Sequence, residues 1–341
     1  HPVAAVTAPP QVLAKTRSPC GIMASLWGTI TGWEQHGHHP SRVPTSTSQG
    51  AVSLLSLKHV GRWAFGAGSV AAISMLAARS RQRRRSCCPA NALGPLVARG
   101  ATRGTLETLP GGLNAYVVGK GNGRAVVVAS DIFGIHTGRH KEICDSIAEE
   151  GFLVILPDFF RGSPRQSSGG FFDALQQAAS LWTPLNTSWS SVENDLAQAV
   201  LPYLEEQGCS VERCALLGFC WGAWLVCHAC GSFNFCCGAM AHPSVHNLVL
   251  RWGEVQEELL EAVRVPQLVL SSKDEPGEWK PGGKAEGFLK KNSTGHIFKE
   301  FPSMSHGFVP RGNLDDPTTK MEVARAMEYI KGFLCKHTPR T

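Results

Sequence analysis

The chain has 341 residues, 43% hydrophobic and 18% charged, which supports a sizeable core and excludes a disordered polymer. Twelve cysteines are too sparse for a small disulfide scaffold. The net charge of +6 is unevenly placed: residues 1–100 hold eleven Lys/Arg against Glu34 alone, a balance of +10, and residues 101–341 hold 22 Lys/Arg and 26 Asp/Glu, a balance of −4, so the globular part carries no nucleic-acid footprint.

The first hundred residues are basic, acid-poor and rich in Ala, Ser, Thr, Gly and Pro, the composition of an organelle-targeting leader for a plastid or mitochondrion. The alternative is a cytoplasmic protein. Within this segment, residues 63–78 form an uncharged apolar run, followed by Arg79, Arg81, Arg83, Arg84 and Arg85. The run is shorter than the roughly 20 residues a membrane-spanning helix needs. Any membrane contact is therefore expected only through residues 63–85. The reading is a largely unstructured, removable leader over 1–100 and one domain over 101–341.

From Thr105 onward, short apolar runs alternate with amphipathic stretches, the pattern of a mostly parallel sheet covered by helices. Residues 106–109 and 113–118 flank Pro110-Gly111-Gly112 and predict a hairpin. Residues 125–130 and 152–156 are fully apolar and predict buried strands. A helix is predicted over 140–150, stopping at Gly151. Residues 162–170 read as a loop and 192–206 as an amphipathic helix. Further strands are predicted at 214–217, 235–241, 265–271 and 297–301, with a closing helix over 321–335.

The chemistry is carried by Gly218-Phe219-Cys220-Trp221-Gly222, directly after strand 214–217. This is the G-x-C-x-G form of a nucleophile elbow, with Cys in place of the usual Ser. The sharp strand-to-helix turn leaves no room for side chains two residues either side of the nucleophile. A merely structural cysteine would not need those glycines. A helix starting after Cys220 would aim its positive end at the sulfur and favour thiolate. An orienting acid and a base should follow after later strands. Asp274 follows strand 265–271 and His306 follows strand 297–301, both at carboxyl ends where open sheets place their sites. The expected catalytic set is Cys220, Asp274 and His306. The expected oxyanion donors are the backbone N–H groups of Trp221 and Ile132.

These segments resemble the dienelactone hydrolase (carboxymethylenebutenolidase) family of α/β-hydrolases over about residues 103–337. The carriers are residues 130–134 (SDIFG), 156–162 (LPDFFRG), 218–222 (GFCWG), 241–244 (AHPS), the Asp274 turn and 305–309 (SHGFV). The resemblance implies an α/β-hydrolase fold with helices on both faces of the sheet. It also implies hydrolysis of small esters or lactones through a Cys220 thioester. It places an acid, Asp131, beside the thiol. By position Arg311 matches one of the two arginines that family lactonases use for a substrate carboxylate. Arg161 and Arg165 lie in the general loop of the other. His242 is expected to line the pocket rim, or to be a structural histidine at a strand end.

Cys227, His228 and Cys230, with Cys236-Cys237 nearby, superficially resemble zinc ligands. Their places in mid-helix and on a buried strand read better as core thiols. Gly119, Gly121 and Gly123 precede a strand, so they form a turn and not a dinucleotide loop. Asp315 and Asp316 read as loop charge before the last helix. The expected partner is a small ester or lactone, with no nucleic acid and no metal or organic cofactor. The alternative function is a non-catalytic thiol sensor or binding module on the same scaffold.

Overall fold

The computed structural model describes residues 88, 92–94, 100–120, 122–162 and 187–339. The apolar segment 63–78, the arginine cluster, Arg165, Gly121 and the predicted loop 162–170 beyond Gly162 lie outside the described residues.

Among the described residues, eight strands form one sheet: β1 (Thr105–Leu109), β2 (Leu113–Val118), β3 (Ala125–Ala129), β4 (Leu153–Pro157), β5 (Cys214–Phe219), β6 (Cys237–Ala241), β7 (Gln267–Ser272) and β8 (Ile297–Phe301). Their spatial order is β1-β2-β4-β3-β5-β6-β7-β8. The hairpin β1–β2 and the pair β2–β4 are antiparallel, and every pairing from β4 to β8 is parallel. The order reverses at β3, which lies between β4 and β5, so the fold is an open, mostly parallel α/β sheet.

Buried parallel strands are apolar on both faces, and each face here has its own core. On β3, Val127 and Ala129 face one core, whereas Val126 and Val128 face the other. The first core is completed by a helix running through Trp189–Asp195, Leu196–Val200 and Leu201–Glu206 (α2), and by α3 (Trp221–Ser232), α4 (Val245–Trp252), α5 (Gln256–Glu261) and α6 (Lys284–Leu289). Opposite it lie α1 (His140–Ala148), α7 (Phe308–Arg311) and α8 (Pro317–His337). The middle of α2 is π-helical. Among the described residues, no helix is long and apolar enough to cross a membrane.

Helix α8 starts a turn earlier than its apolar period suggests. Asp316 is its N-cap, accepting a hydrogen bond from the Thr319 N–H at 2.7 Å, and Pro317 occupies the first helical position. Asp316 is thus a cap and not loop charge.

Candidate active site

Among the described residues, three non-glycine residues have positive φ, and all follow strands: Arg161 after β4, Cys220 after β5 and His242 after β6. Cys220 has φ 54° and ψ −106°, immediately before the first residue of α3. The flanking glycines are sterically required. A Cβ on Gly218 would strike the carbonyl of Gly222, and one on Gly222 would strike the carbonyl of Ala129 on β3. The turn is further held by the Cys220 N–H donating to Ala241 O at 3.1 Å and the Ser244 N–H donating to Cys220 O at 3.2 Å. Trp221 is the first residue of α3, directly after Cys220, and Ile132 follows β3, the strand that pairs with β5.

His306 enters from the loop after β8 and is hydrogen-bonded to the Cys220 side chain. Ser244 stands with them, its Oγ 3.3 Å from Cys220 Sγ and 3.5 Å from His306 Nε2. The other ring nitrogen, Nδ1, is 2.6 Å from Glu275 Oε1. Glu275 is itself fixed, because its second oxygen accepts from the Ser272 N–H. Asp274 does something else: its Oδ2 accepts from the backbone N–H of His306 at 2.7 Å. The sequence expectation is therefore corrected at this position. The imidazole is oriented by Glu275, and Asp274 pins the main chain that carries it. Both acids lie in one turn, and which of them reaches the ring depends on the turn's path.

Burial disfavours a charged His306, but the Cys220 sulfur and the Glu275 carboxylate outweigh it and push the imidazole up to about 10. The arrangement favours an imidazolium beside the Cys220 sulfur.

Two further expectations change. Arg311 does not await a substrate carboxylate. Its Nε and Nη2 each donate to an Asp131 oxygen at 2.6 Å, its Nη2 reaches Thr137 Oγ1 at 2.9 Å, and its side chain is 1% exposed. The guanidinium lies 4.4 Å from the centre of the Phe133 ring. Asp131 also accepts from the Phe133 N–H at 2.9 Å and is 3.6 Å from His140 Nε2. Its carboxylate is thus committed to Arg311 and to its own turn, and not to the thiol. The pair was illegible in the sequence because its members are 180 residues apart.

His242 is fully buried, not on a rim. It packs edge-on against His306, with ring centres 5.0 Å apart, and against Phe219 and Phe308. Neither of its ring nitrogens has a hydrogen-bond partner among the described residues. Burial, with His306 adding to it, holds His242 well below the usual histidine range, so it supports His306 as a neutral wall. Arg161 pairs with Asp195 at 2.6 Å.

Cys88, Leu93 and Gly94 come to the same place. Cys88 Sγ is 3.3 Å from Cys220 Sγ, the Leu93 N–H donates to His306 O at 3.1 Å, and Arg311 Nη1 donates to Gly94 O at 3.4 Å. The packed part of the chain thus reaches back into the segment read as leader. No sequence signal marks Cys88 beyond its residue type. Ser244 stood in view within His-Pro-Ser.

Cys227, Cys230 and Cys237 are buried. His228 stacks on Trp189 at 4.6 Å and pairs with Glu254 at 3.2 Å, away from any cysteine cluster. The group of three His, Cys or acidic side chains close enough to share an ion among the described residues is Cys88, Cys220 and His306.

The dienelactone hydrolase family model matches residues 113–337. A carboxymethylenebutenolidase homolog of Xenopus tropicalis is 27% identical over 222 residues, covering 63% of this chain and 82% of that protein. An endo-1,3;1,4-beta-D-glucanase of Zea mays is 32% identical over 139 residues, 40% of this chain and 42% of that protein. A solved dienelactone hydrolase-like promiscuous phosphotriesterase from metagenomic libraries is 18% identical, with a TM-score of 0.45, covering 69% of this chain and 99% of that one. With a match running from β2 through the elbow and the His306 loop to the last helix, the chain belongs to the dienelactone hydrolase family.

Proposed function

We propose that the protein hydrolyses small esters or lactones with Cys220 as nucleophile. The observation that carries this reading is the buried chain of contacts from Cys220 to His306 to Glu275, built on an elbow whose backbone has a positive φ. A nucleophile oriented by a base, and a base oriented by a carboxylate, is the arrangement acyl transfer needs. Cys220 attacks the carbonyl carbon, and the developing oxyanion is met by the N–H groups of Trp221 and Ile132. His306, charged beside the thiolate, gives its proton to the leaving alkoxide, which yields a thioester and an alcohol. It then takes a proton from water, and the resulting hydroxide releases the acid and regenerates the thiolate.

The pairing of Arg311 with Asp131 weighs against a requirement for a carboxylate on the substrate, so neutral esters and lactones belong in the test. Intact-protein mass spectrometry during incubation with a panel of both kinds is expected to show a transient acyl adduct on the wild type and none on Cys220→Ala. A Cys220→Ala variant that keeps full turnover would remove the cysteine from the chemistry.

A further inference from the structure

We propose that Cys88 is a resolving thiol for Cys220, and that a hydroperoxide converts the two into a disulfide that closes the site reversibly. The sulfurs are 3.3 Å apart, against about 2.05 Å in a disulfide, so roughly 1.3 Å of approach completes the bond. The contact does not rest on a loose tail. Five residues after Cys88, Leu93 is bonded to the backbone of His306, and Gly94 is bonded to Arg311. The segment is thus tied to the loop that carries the base.

The chemistry balances with the peroxide as oxidant. The Cys220 thiolate attacks one peroxide oxygen, the O–O bond breaks, and Cys220 becomes a sulfenic acid with release of hydroxide. The Cys88 sulfur then attacks the Cys220 sulfur and expels the sulfenic oxygen as hydroxide, while the Cys88 proton and one further proton complete two waters. Two electrons pass from the two thiols to the peroxide. Cys88 is half-exposed and open to reductants, whereas Cys144, Cys214, Cys227 and Cys230 are buried and their thiols are pushed up by that burial. Those four do not compete for oxidant. The adjacent Cys236 and Cys237, 3.9 Å apart, are the pair that would compete.

Zinc bridging is the rival use of the same atoms, with His306 as third ligand. Two sulfurs on a tetrahedral zinc, each at about 2.3 Å, stand about 3.8 Å apart. The observed 3.3 Å is shorter and favours the disulfide. The proposal rests on Cys220 being the activated thiol inferred above, but its readout is a covalent bond and needs no ester turnover.

The experiment treats the full chain with hydrogen peroxide and maps non-reduced peptides by fragmentation mass spectrometry. A Cys88–Cys220 link is expected in the wild type and in Cys87→Ser, and is expected to be absent in Cys88→Ser. Hydrolysis of a neutral chromogenic ester should fall at least tenfold on oxidation and return with dithiothreitol. In Cys88→Ser, the fractional loss on oxidation, measured against that variant's own starting rate, should become irreversible, as Cys220 runs on to sulfinic acid. Oxidation of Cys220 without a link, a link through Cys87 or only between Cys236 and Cys237, or equal recovery of Cys88→Ser would each overturn the proposal. Inactivation by zinc that a chelator reverses, with no link under peroxide, would assign the site to metal instead. If the link forms but no variant hydrolyses any ester, the fault lies with the hydrolase reading and not with the thiol pair.

Discussion

At the scale of single residues, the division of labour between Asp274 and Glu275 is open to direct test. Glu275 is bonded to the imidazole, and Asp274 is bonded to the main chain of His306. Glu275→Gln should therefore lower kcat for a good ester by about 10³- to 10⁴-fold, the scale seen when a base loses its orienting carboxylate. Asp274→Asn should cost far less and act mainly through stability. The pH profile carries a second signature. The Cys220 sulfur and Glu275 together hold His306 up at about 10, so the alkaline limb of kcat/KM should lie near there in the wild type. Removing the Glu275 charge withdraws one of the two raising influences, and the limb should move to lower pH. A larger loss in Asp274→Asn, or a limb that stays in place in Glu275→Gln, would return the role to Asp274. The sequence could not separate these residues. It shows two adjacent acids in a turn, and the side chain that reaches the ring is selected by a backbone path that only the folded turn defines.

At the scale of elements, legibility follows burial. β3, β4 and β5 are apolar on both faces and read correctly to within a residue or two, because a fully buried strand has almost no freedom in composition. Short helices such as α6 and α7 carry too few turns to show a period and were not legible. Contacts between distant elements were not legible either, and the Asp131–Arg311 pair is the consequential case. It joins the β3–α1 loop to α7, next to the His306 loop. The same junction is reinforced by Arg139, whose guanidinium donates to Gly312 O at 2.7 Å and Val309 O at 2.9 Å. Arg311→Met leaves the buried Asp131 charge without its main partner and should cost about 3–5 kcal/mol, read as a loss of denaturation midpoint. The double variant with Asp131→Asn should recover much of that loss, since no buried charge is then stranded. If Arg311→Met instead leaves stability intact and raises KM only for carboxylated substrates, the arginine belongs to substrate binding after all.

At the scale of the whole molecule, where the packed chain starts is a matter of contacts and not of composition. The texture of the sequence changes at about residue 101, yet Leu93 bonds to the His306 loop, Gly94 bonds to Arg311 on α7, and Cys88 lies on the nucleophile. The strap that contains Cys88, Leu93 and Gly94 is therefore expected to do two things at once. It supports the His306 loop, and it contributes to leaving Cys220 only 1% exposed. A chain starting at residue 101 loses both contributions, whereas a chain starting at residue 87 keeps them. The two lost hydrogen bonds, one from the Leu93 N–H and one from the Arg311 side chain, are worth about 1–2 kcal/mol net. The shorter chain should therefore melt about 2–8 °C below the longer one. Over the same comparison, alkylation of Cys220 by iodoacetamide should become faster in the shorter chain, because the sulfur is uncovered. These two effects have opposite consequences for turnover: a looser base lowers kcat, and an opened site lowers KM. Measuring both constants for one neutral ester separates them. Equal melting and equal alkylation rates for the two chains would show that the strap rests on the site without shaping it.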